Sequence, residues 1–180
     1  MKSQHTTSVL IAFAAIAILF ASCKETRKAE QATASSKADT NSSYIDLYMK
    51  LKDALVADDS TSASIHAKTL ASAVLELNGA TYQVNDEQSF KLAVKEVAKS
   101  ASQIPNADLS AQREHFESIT ENMIGLIKST GAAQEIYVQH CPMYNQGKGG
   151  YWLSQFEEVK NPLFGSMMLN CGFVSDRIKQ

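Results

Sequence analysis

A helical pattern covers residues 108–131, which read DLSAQREHFESITENMIGLIKSTG. Asp108 suits the N-cap position, because its carboxylate can accept a hydrogen bond from a backbone N–H of the first turn. Apolar side chains then recur three or four positions apart, as the buried face of an amphipathic helix requires; they are Leu109, Phe116, Ile119, Met123 and Ile127. Gly131 follows the last turn, and glycine readily adopts the left-handed conformation that ends many helices. The pattern therefore predicts one long helix with a single buried face.

Three further helical patterns precede this one, at residues 44–55, 61–77 and 85–98. Asn78 and Gly79 would end the second helix, and Asn85 with Gln88 resembles a capping box at the start of the third. Asp58 and Asp59 are expected at a solvated helix end. Four amphipathic helices with short connections favour an up-and-down bundle. The predicted fold class is mainly α, an up-and-down four-helix bundle with an irregular, loop-rich C-terminal segment.

The composition is that of one ordinary globular domain. The chain has 180 residues, of which 44% are hydrophobic and 20% charged, and a formal net charge of −2. Its 17 Lys and Arg residues are balanced by 19 Asp and Glu residues that are spread along the whole chain. Binding to phosphate backbones needs a concentrated basic face. The sequence therefore predicts no nucleic-acid partner.

The N-terminal residues are typical of an export signal. Lys2 precedes the apolar run Val9–Phe20, which is shorter than the ~20 residues that a permanent membrane-spanning helix needs. Small residues then precede Cys23 and resemble the lipobox of bacterial lipoproteins, which implies that a lipid is attached to this cysteine. We expect residues 1–22 to be a lipoprotein signal peptide and the protein to be lipid-anchored in the cell envelope, facing the periplasm. The alternative is a plain secretory signal, with Cys23 free or discarded.

Residues 23–43 are predicted to be a flexible tether between the lipid and the folded domain. From Lys24 to Ser43 the chain contains no Val, Ile, Leu, Met or aromatic residue. Such a segment cannot bury enough apolar surface to offset the entropy lost on ordering it. The domain organisation is therefore signal (1–22), tether (23–43) and a helical metal-binding domain (44–180), whose ligand-rich segment is 135–175.

The ligand-rich segment differs in composition from the helices before it. Residues 137–173 hold seven of the fourteen aromatic residues and five of the eight glycines. We expect a short strand at 135–139, a loop at 146–150 and one or two helical turns at 152–159. Turn-forming residues and sulfur atoms in this density are typical of an irregular segment built around a local site.

Thiolate, thioether and imidazole groups in one segment favour a soft metal ion. The predicted ligands are Cys141, Cys171 and Met143, joined by Met168 or His140. Cu(I) fits this donor set best and Ag(I) resembles it, whereas Zn²⁺ is less suitable because methionine is a poor zinc ligand. The sequence therefore predicts a Cu(I)-binding protein that is not an enzyme.

A disulfide between Cys141 and Cys171 is the competing interpretation. Exported cysteines usually oxidise, and this bond would close a loop of about thirty residues, worth ~3.7 kcal/mol by the loop-entropy relation. The protein would then be a disulfide-stapled interaction module, with Tyr151, Trp152 and Phe164 as contact residues. An activated thiol at Cys141 beside His140 has less support, because adjacent residues of a strand point to opposite faces.

Four segments resemble a known family. They are residues 137–144 (YVQHCPMY), 149–154 (GGYWLS), 161–172 (NPLFGSMMLNCG) and, in the helical part, 51–59 (LKDALVADD). They are similar to an uncharacterised periplasmic domain that occurs alone in bacterial lipoproteins and fused to the adaptor subunits of heavy-metal efflux pumps.

The resemblance implies an association with copper and silver export, with an efflux adaptor subunit as a partner. It carries Cys141, Met143, Met168 and Cys171 over as metal ligands, while His140 is added on its chemistry alone. Four further matching positions are expected to hold the loop: Trp152, Asn161, Pro162 and Gly165. The predicted role is to buffer Cu(I) or deliver it to an efflux system.

Overall fold

The computed structural model describes residues 44–179, a mainly helical chain that ends in a small antiparallel sheet. The helices are α1 (44–56), α2 (Ser60–Leu75), α3 (Gly79–Tyr82), α4 (Glu87–Gln103), α5 (Leu109–Thr130) and the single turn α6 (Tyr144–Gly147). The strands are β1 (Ile136–Cys141), β2 (Gly150–Ser154) and β3 (Phe173–Ile178), and 3-10 turns lie at Ile104–Asn106 and Gly165–Met168. The mainly helical prediction is confirmed.

The helix ends follow the capping rules, with small corrections to the prediction. Asp108 caps α5 by accepting a hydrogen bond from the Ala111 N–H at 2.9 Å, and Gly131 follows its last residue, as predicted. The N-cap of α4 is Asp86, one residue after the expected Asn85. Asn78 caps the start of α3 and does not end α2, because its side chain accepts a hydrogen bond from the first turn of that short helix.

Two buried tyrosines of α1 bond to threonines of α5. The hydroxyl of Tyr44 lies 2.7 Å from Oγ1 of Thr130, and that of Tyr48 lies 2.7 Å from Oγ1 of Thr120. The Tyr48 hydroxyl also accepts a hydrogen bond from the backbone N–H of Leu153 at 3.0 Å. Because Leu153 lies in β2, an edge strand of the sheet, Tyr48 joins the helical part to the sheet.

The sheet has the order β2-β1-β3, with both pairs antiparallel. β1 is therefore the central strand. In its register Cys141 lies opposite Gly150, and His140 lies opposite both Tyr151 of β2 and Phe173 of β3. Neighbouring residues of a strand point to opposite faces, so Cys141 and His140 face different sides of the sheet.

The prediction of helical turns at residues 152–159 is wrong. Residues 152–154 form the end of β2, and residues 155–158 are bends. A short apolar run does not distinguish a strand from a buried helical turn by its periodicity. Residues 152–154 form a strand because they pair with β1, where Trp152 lies opposite Gln139 and Leu153 lies opposite Val138. The C-terminal segment is therefore a sheet with loops and not wholly irregular.

The predictions for the N-terminal part lie outside the described residues. They are the signal peptide at 1–22, the lipid on Cys23 and the tether at 23–43. Within residues 44–179, every helix is too short or too polar to cross a membrane.

Candidate functional site

The structure brings two thiols together beside the end of β1. The sulfur atoms of Cys141 and Cys171 are 3.2 Å apart, although thirty residues separate them in the chain, and both cysteines are free. Cys141 is fully buried, whereas Cys171 is partly exposed. A hydrogen bond with Cys141, reinforced by burial, raises the pKa of the Cys171 thiol. This thiol therefore stays protonated at neutral pH, and a metal ion would have to displace its proton.

Cys171 lies at the end of a loop, residues 161–172, which we call the cysteine loop. Asn161 closes its base, because the backbone N–H of Asn161 donates to the Leu169 carbonyl at 2.7 Å and its side-chain amide donates to the Cys171 carbonyl at 2.8 Å. The same side chain accepts hydrogen bonds from the N–H groups of Leu163 and Phe164. Asn161 is fully buried. It holds the loop, which is the role that the sequence predicted for it.

Gly172 lets the cysteine loop approach the sheet closely. A Cβ atom at this position would lie 2.8 Å from the carbonyl oxygen of His140 and 2.8 Å from the indole of Trp152. Real Cβ atoms do not come this close, so a side chain here would push Cys171 away from β1. Glycine is therefore required by space as well as by its backbone conformation (φ +144°).

Trp152 and Gln139 form a second support beneath the loop. The indole N–H of Trp152 donates to Oε1 of Gln139 at 2.6 Å, and both side chains are fully buried. The amide nitrogen of Gln139 lies 3.1–3.2 Å from three successive carbonyl oxygens, those of residues 156–158. Gln139 thus fastens the segment that leads into the cysteine loop. The sequence prediction included Trp152 here but missed Gln139.

The tip of the cysteine loop is fastened to the helical part by Arg113 and Asp58. Arg113, on α5, pairs with the Asp58 carboxylate, and its Nε donates to the Pro162 carbonyl at 3.0 Å. Oδ2 of Asp58 accepts a hydrogen bond from the Ser166 N–H at 3.2 Å. Gly165 lies directly against this ion pair at φ +57°, where a Cβ atom would overlap both charged groups. Hydrogen bonds from Ser166 and from Arg113 hold the pKa of Asp58 below its ordinary value.

The role expected for Asp58 is therefore corrected. Asp59 is a solvent-exposed helix cap, since it accepts a hydrogen bond from the Ser62 N–H at 2.9 Å. Asp58 instead pairs with Arg113, whose side chain is only 9% exposed. The sequence feature that could have indicated this ion pair is Arg113, a charged residue that lies between Leu109 and Phe116 on the apolar face of α5.

The predicted methionine ligands lie at the protein surface, next to the segments that carry the cysteines. Met143 follows Cys141 by two residues and is 57% exposed; Met168 is 41% exposed. The carbonyl of Met168 accepts a hydrogen bond from the Cys171 N–H at 3.0 Å, so the two residues form one turn. The adjacent Met167, which was not among the predicted ligands, is 74% exposed.

His140 lies apart from the thiols, on the other face of β1. Its ring centroid is 4.4 Å from that of Tyr151 and 5.5 Å from that of Phe173. Within residues 44–179, no group of three or more His, Cys, Asp or Glu side chains could hold a metal ion. The structure therefore brings Cys141 and Cys171 together and does not bring His140 to them. Any further donor has to come from another side chain or from outside the domain.

The comparisons with known proteins concern the helical part. Neither a curated protein nor a solved structure matches the chain. A family model described as "Protein of unknown function (DUF3347)" matches residues 44–135, which run from α1 to the residue before β1. Both cysteines of the site therefore lie beyond the matched residues. Since the match covers just over half of the 180 residues, the chain belongs to the DUF3347 family.

Proposed function

We propose that this protein binds Cu(I), and Ag(I) in the same way, through Cys141 and Cys171. It would act in the cell envelope, anchored by a lipid on Cys23, and would buffer the ion or deliver it to an efflux system through an adaptor subunit. The role is binding and transfer, without catalysis. The observation that carries the proposal is the 3.2 Å separation of two free thiols that come from distant parts of the chain.

The chemistry of the available donors favours a soft ion. Two thiolates would supply the strong bonds, and Met143 and Met168, which are exposed and lie two and three positions along the chain from the cysteines, would supply thioethers. Thioether ligands suit Cu(I) and Ag(I) but are poor ligands for Zn²⁺. A structural zinc site needs four strong ligands, and within residues 44–179 no third His, Cys, Asp or Glu joins the thiols. Zn²⁺ is therefore the weaker candidate.

The pair can accept a metal ion with a small movement. Two sulfurs that bond one tetrahedral Zn²⁺ ion at ~2.3 Å stand ~3.8 Å apart, which gives the scale of the separation that a shared metal ion requires. The observed distance of 3.2 Å therefore has to increase by roughly half an ångström. Cys141 is fixed in the central strand, whereas Cys171 lies in the cysteine loop and is partly exposed. The adjustment would thus be made by Cys171.

Anaerobic titration with Cu(I) tests the proposal. The reduced full-length protein competes with a chromophoric Cu(I) chelator, and we expect one ion bound per chain. The double variant Cys141→Ser/Cys171→Ser should lose this binding. An unchanged affinity in the double variant would refute the site.

Methionine variants test the completion of the coordination shell. Met168→Leu should weaken Cu(I) binding by at least the roughly tenfold that is typical of losing a residue that supports a metal ligand. Met167→Leu is the matched control, because it is the same substitution at the neighbouring, more exposed position. Equal affinities in the two variants would remove Met168 from the proposal, and Met143→Leu would then be the next variant to compare.

The second candidate is a disulfide-stapled interaction module without metal. The short distance between the two sulfur atoms favours a disulfide as much as it favours a metal site. The sulfurs are 3.2 Å apart, and a disulfide bond requires them to approach to ~2.0 Å. Of the expected contact residues, Tyr151 is 45% exposed and Trp152 is fully buried. Phe173, which is 52% exposed, lies on the other side of His140 from Tyr151. The contact surface would therefore be formed by Tyr151 and Phe173 on the His140 face of the sheet.

Intact-mass measurement distinguishes the two candidates. Protein taken from the periplasm under thiol-blocking conditions should carry two labels if Cys141 and Cys171 are reduced. A product that carries no label at these positions and is two hydrogens lighter would favour the disulfide module. Anaerobic loading followed by X-ray absorption would show sulfur neighbours only if the metal site forms.

We also propose that the four long helices form the up-and-down bundle predicted from the sequence. The pairs Tyr44–Thr130 and Tyr48–Thr120 support this, because they run antiparallel along α1 and α5. The short connection between α1 and α2 gives the next antiparallel pair.

A further inference from the structure

We propose that Asp58 and Arg113 are positioning residues for the thiol pair: by fastening the tip of the cysteine loop, they keep Cys171 next to Cys141. The inference concerns the same two thiols as the proposed function. It rests on the proposed function only in taking the Cys141–Cys171 pair as the functional site. It requires no metal ion.

The contacts at the loop tip come from two different parts of the helical region. Asp58 lies between α1 and α2, and its carboxylate accepts the Ser166 N–H. Arg113 lies in the first turns of α5 and donates to the carbonyls of Pro162 at 3.0 Å and Leu55 at 3.2 Å. Both ends of the segment 162–166 are therefore bonded to the helices. The same segment also packs on the core, since Pro162 and Leu163 are buried. The hydrogen bonds and the ion pair therefore add to these apolar contacts in setting the position of the loop tip.

Two further observations indicate that the position of this loop is specified closely. Asp58 has φ +59°, a conformation that is uncommon for residues other than glycine and better tolerated by Asp and Asn. Gly165 has φ +57° and lies so close to the Asp58–Arg113 pair that no other residue fits there. The ion pair, the loop tip and the backbone at Asp58 thus form one interlocked contact.

The consequence for the thiols is a high effective concentration. Only four residues lie between Ser166 and Cys171, and Asn161 closes the loop base by bonding the Cys171 carbonyl. If the tip is released, the Cys171 sulfur samples a larger volume and meets the Cys141 sulfur less often. Disulfide formation within the pair would become less favourable, while the intrinsic chemistry of each thiol stays the same.

The test is the exchange of the metal-free protein with glutathione disulfide. In this reaction the Cys141 and Cys171 thiols give up two protons and two electrons, and a sulfur–sulfur bond forms between them. The bond of the glutathione disulfide breaks, and two glutathione thiols take up the protons and electrons. The equilibrium constant is measured in glutathione buffers containing a metal chelator, by quantifying the oxidised fraction after acid quench and thiol labelling.

The variants separate charge, position and general stability. Asp58→Asn keeps a residue that tolerates the backbone conformation but removes the charge, and Arg113→Gln removes the partner. Asp59→Asn is the matched control, because it is the same change one residue away, at an exposed helix cap whose carboxylate bonds Ser62 of its own helix. Val74→Ala creates a cavity in α2, away from the loop, and shows how far a general loss of stability affects the measurement. Ser166→Pro removes the N–H and the hydroxyl that bond to Asp58 and fixes φ at this position, but it leaves both charges of the ion pair in place, in case the charge variants do not fold.

We expect Asp58→Asn and Arg113→Gln to lower the equilibrium constant for disulfide formation by about tenfold, which is ~30 mV in reduction potential. Asp59→Asn and Val74→Ala should match the wild type. Folded loop variants with a wild-type constant would overturn the inference, and so would an equal shift in Val74→Ala. If Cu(I) fails to bind but the loop variants shift the thiol equilibrium, the proposed function fails and the positioning role stands.

Discussion

The hydroxyl of Tyr48 gives the sharpest prediction about how the sheet is held on the helices. Tyr48→Phe removes one oxygen and leaves the ring, which stacks on Phe116 with centroids 5.2 Å apart. The lost oxygen bonds Thr120 at 2.7 Å and accepts the Leu153 N–H at 3.0 Å. Thr120 keeps a second partner, because its hydroxyl also donates to the Phe116 carbonyl at 3.0 Å. The main loss is therefore the acceptor of the Leu153 N–H.

The magnitude follows from these partners. Losing a net hydrogen bond costs ~1 kcal/mol, and leaving a buried N–H without its acceptor costs ~1–3 kcal/mol. We expect Tyr48→Phe to lower the free energy of unfolding by about 2–4 kcal/mol. Tyr44→Phe is the matched control: this tyrosine is as deeply buried in the same helix, and its hydroxyl bonds Thr130, which also donates to the Leu126 carbonyl. The control should lose only about 1 kcal/mol.

Urea denaturation of the reduced protein, followed by circular dichroism and by the fluorescence of the single tryptophan, measures both losses. Hydrogen exchange adds a local readout, because the Leu153 amide should exchange faster in Tyr48→Phe and at the wild-type rate in Tyr44→Phe. Equal destabilisation by the two substitutions, with unchanged exchange at Leu153, would show that Tyr48 does not link the helices to the sheet in the way described.

Three other perturbations have defined outcomes. The pKa of Asp58 is lowered in the folded protein, so its ionised form stabilises the fold at pH values above the pKa of an unfolded aspartate, ~3.9. This contribution is lost as the pH falls through the lower pKa of the folded state. Urea midpoints measured from pH 6 down to pH 2 should therefore fall less steeply in Asp58→Asn than in the wild type. Oxidation of Cys141 and Cys171 with glutathione disulfide should stabilise the protein by up to ~3.7 kcal/mol, since it closes a loop of thirty residues, and a thermal midpoint unchanged by oxidation would contradict this. Gln139→Leu should destabilise the protein by about 2 kcal/mol, because the buried Trp152 N–H loses its acceptor; urea denaturation measures the loss, and a wild-type midpoint would contradict the role of Gln139.

The helices could be predicted from the sequence because their signals are local. The apolar spacing and the caps at Asp108 and Gly131 lie within the segment that they define, and the structure has α5 at Leu109–Thr130. Where two capping residues were adjacent, the prediction took Asn85 and the structure uses Asp86. The two possible caps differ by only one position, and the pattern of apolar residues does not locate the start of a helix that accurately.

The sheet could be predicted only in part, because strand pairing is not local. A strand was expected at 135–139, and β1 is Ile136–Cys141. β2 and β3 become recognisable only through their partners in β1, which is why residues 152–154 were assigned to a helical turn. The same reason explains the missed contact between Asp58 and Arg113, which lie 55 positions apart. By contrast, the chemistry of sulfur in one segment was sufficient to single out Cys141 and Cys171.

The residues that match the family model and the residues that carry the thiols lie in different parts of the chain, and the two parts are joined by specific contacts. The matched residues 44–135 contain neither cysteine, but they contain Tyr48, Asp58 and Arg113. These three side chains make the polar contacts that hold β2 and the cysteine loop on the helices. Arg113 is nearly buried and bonds Leu55 and Asp58 within the helical part, and it also donates to the Pro162 carbonyl of a loop 49 residues away. The helical part thus holds the C-terminal segment through buried and partly buried polar contacts, and the proposed positioning of the two thiols would draw on residues of both parts.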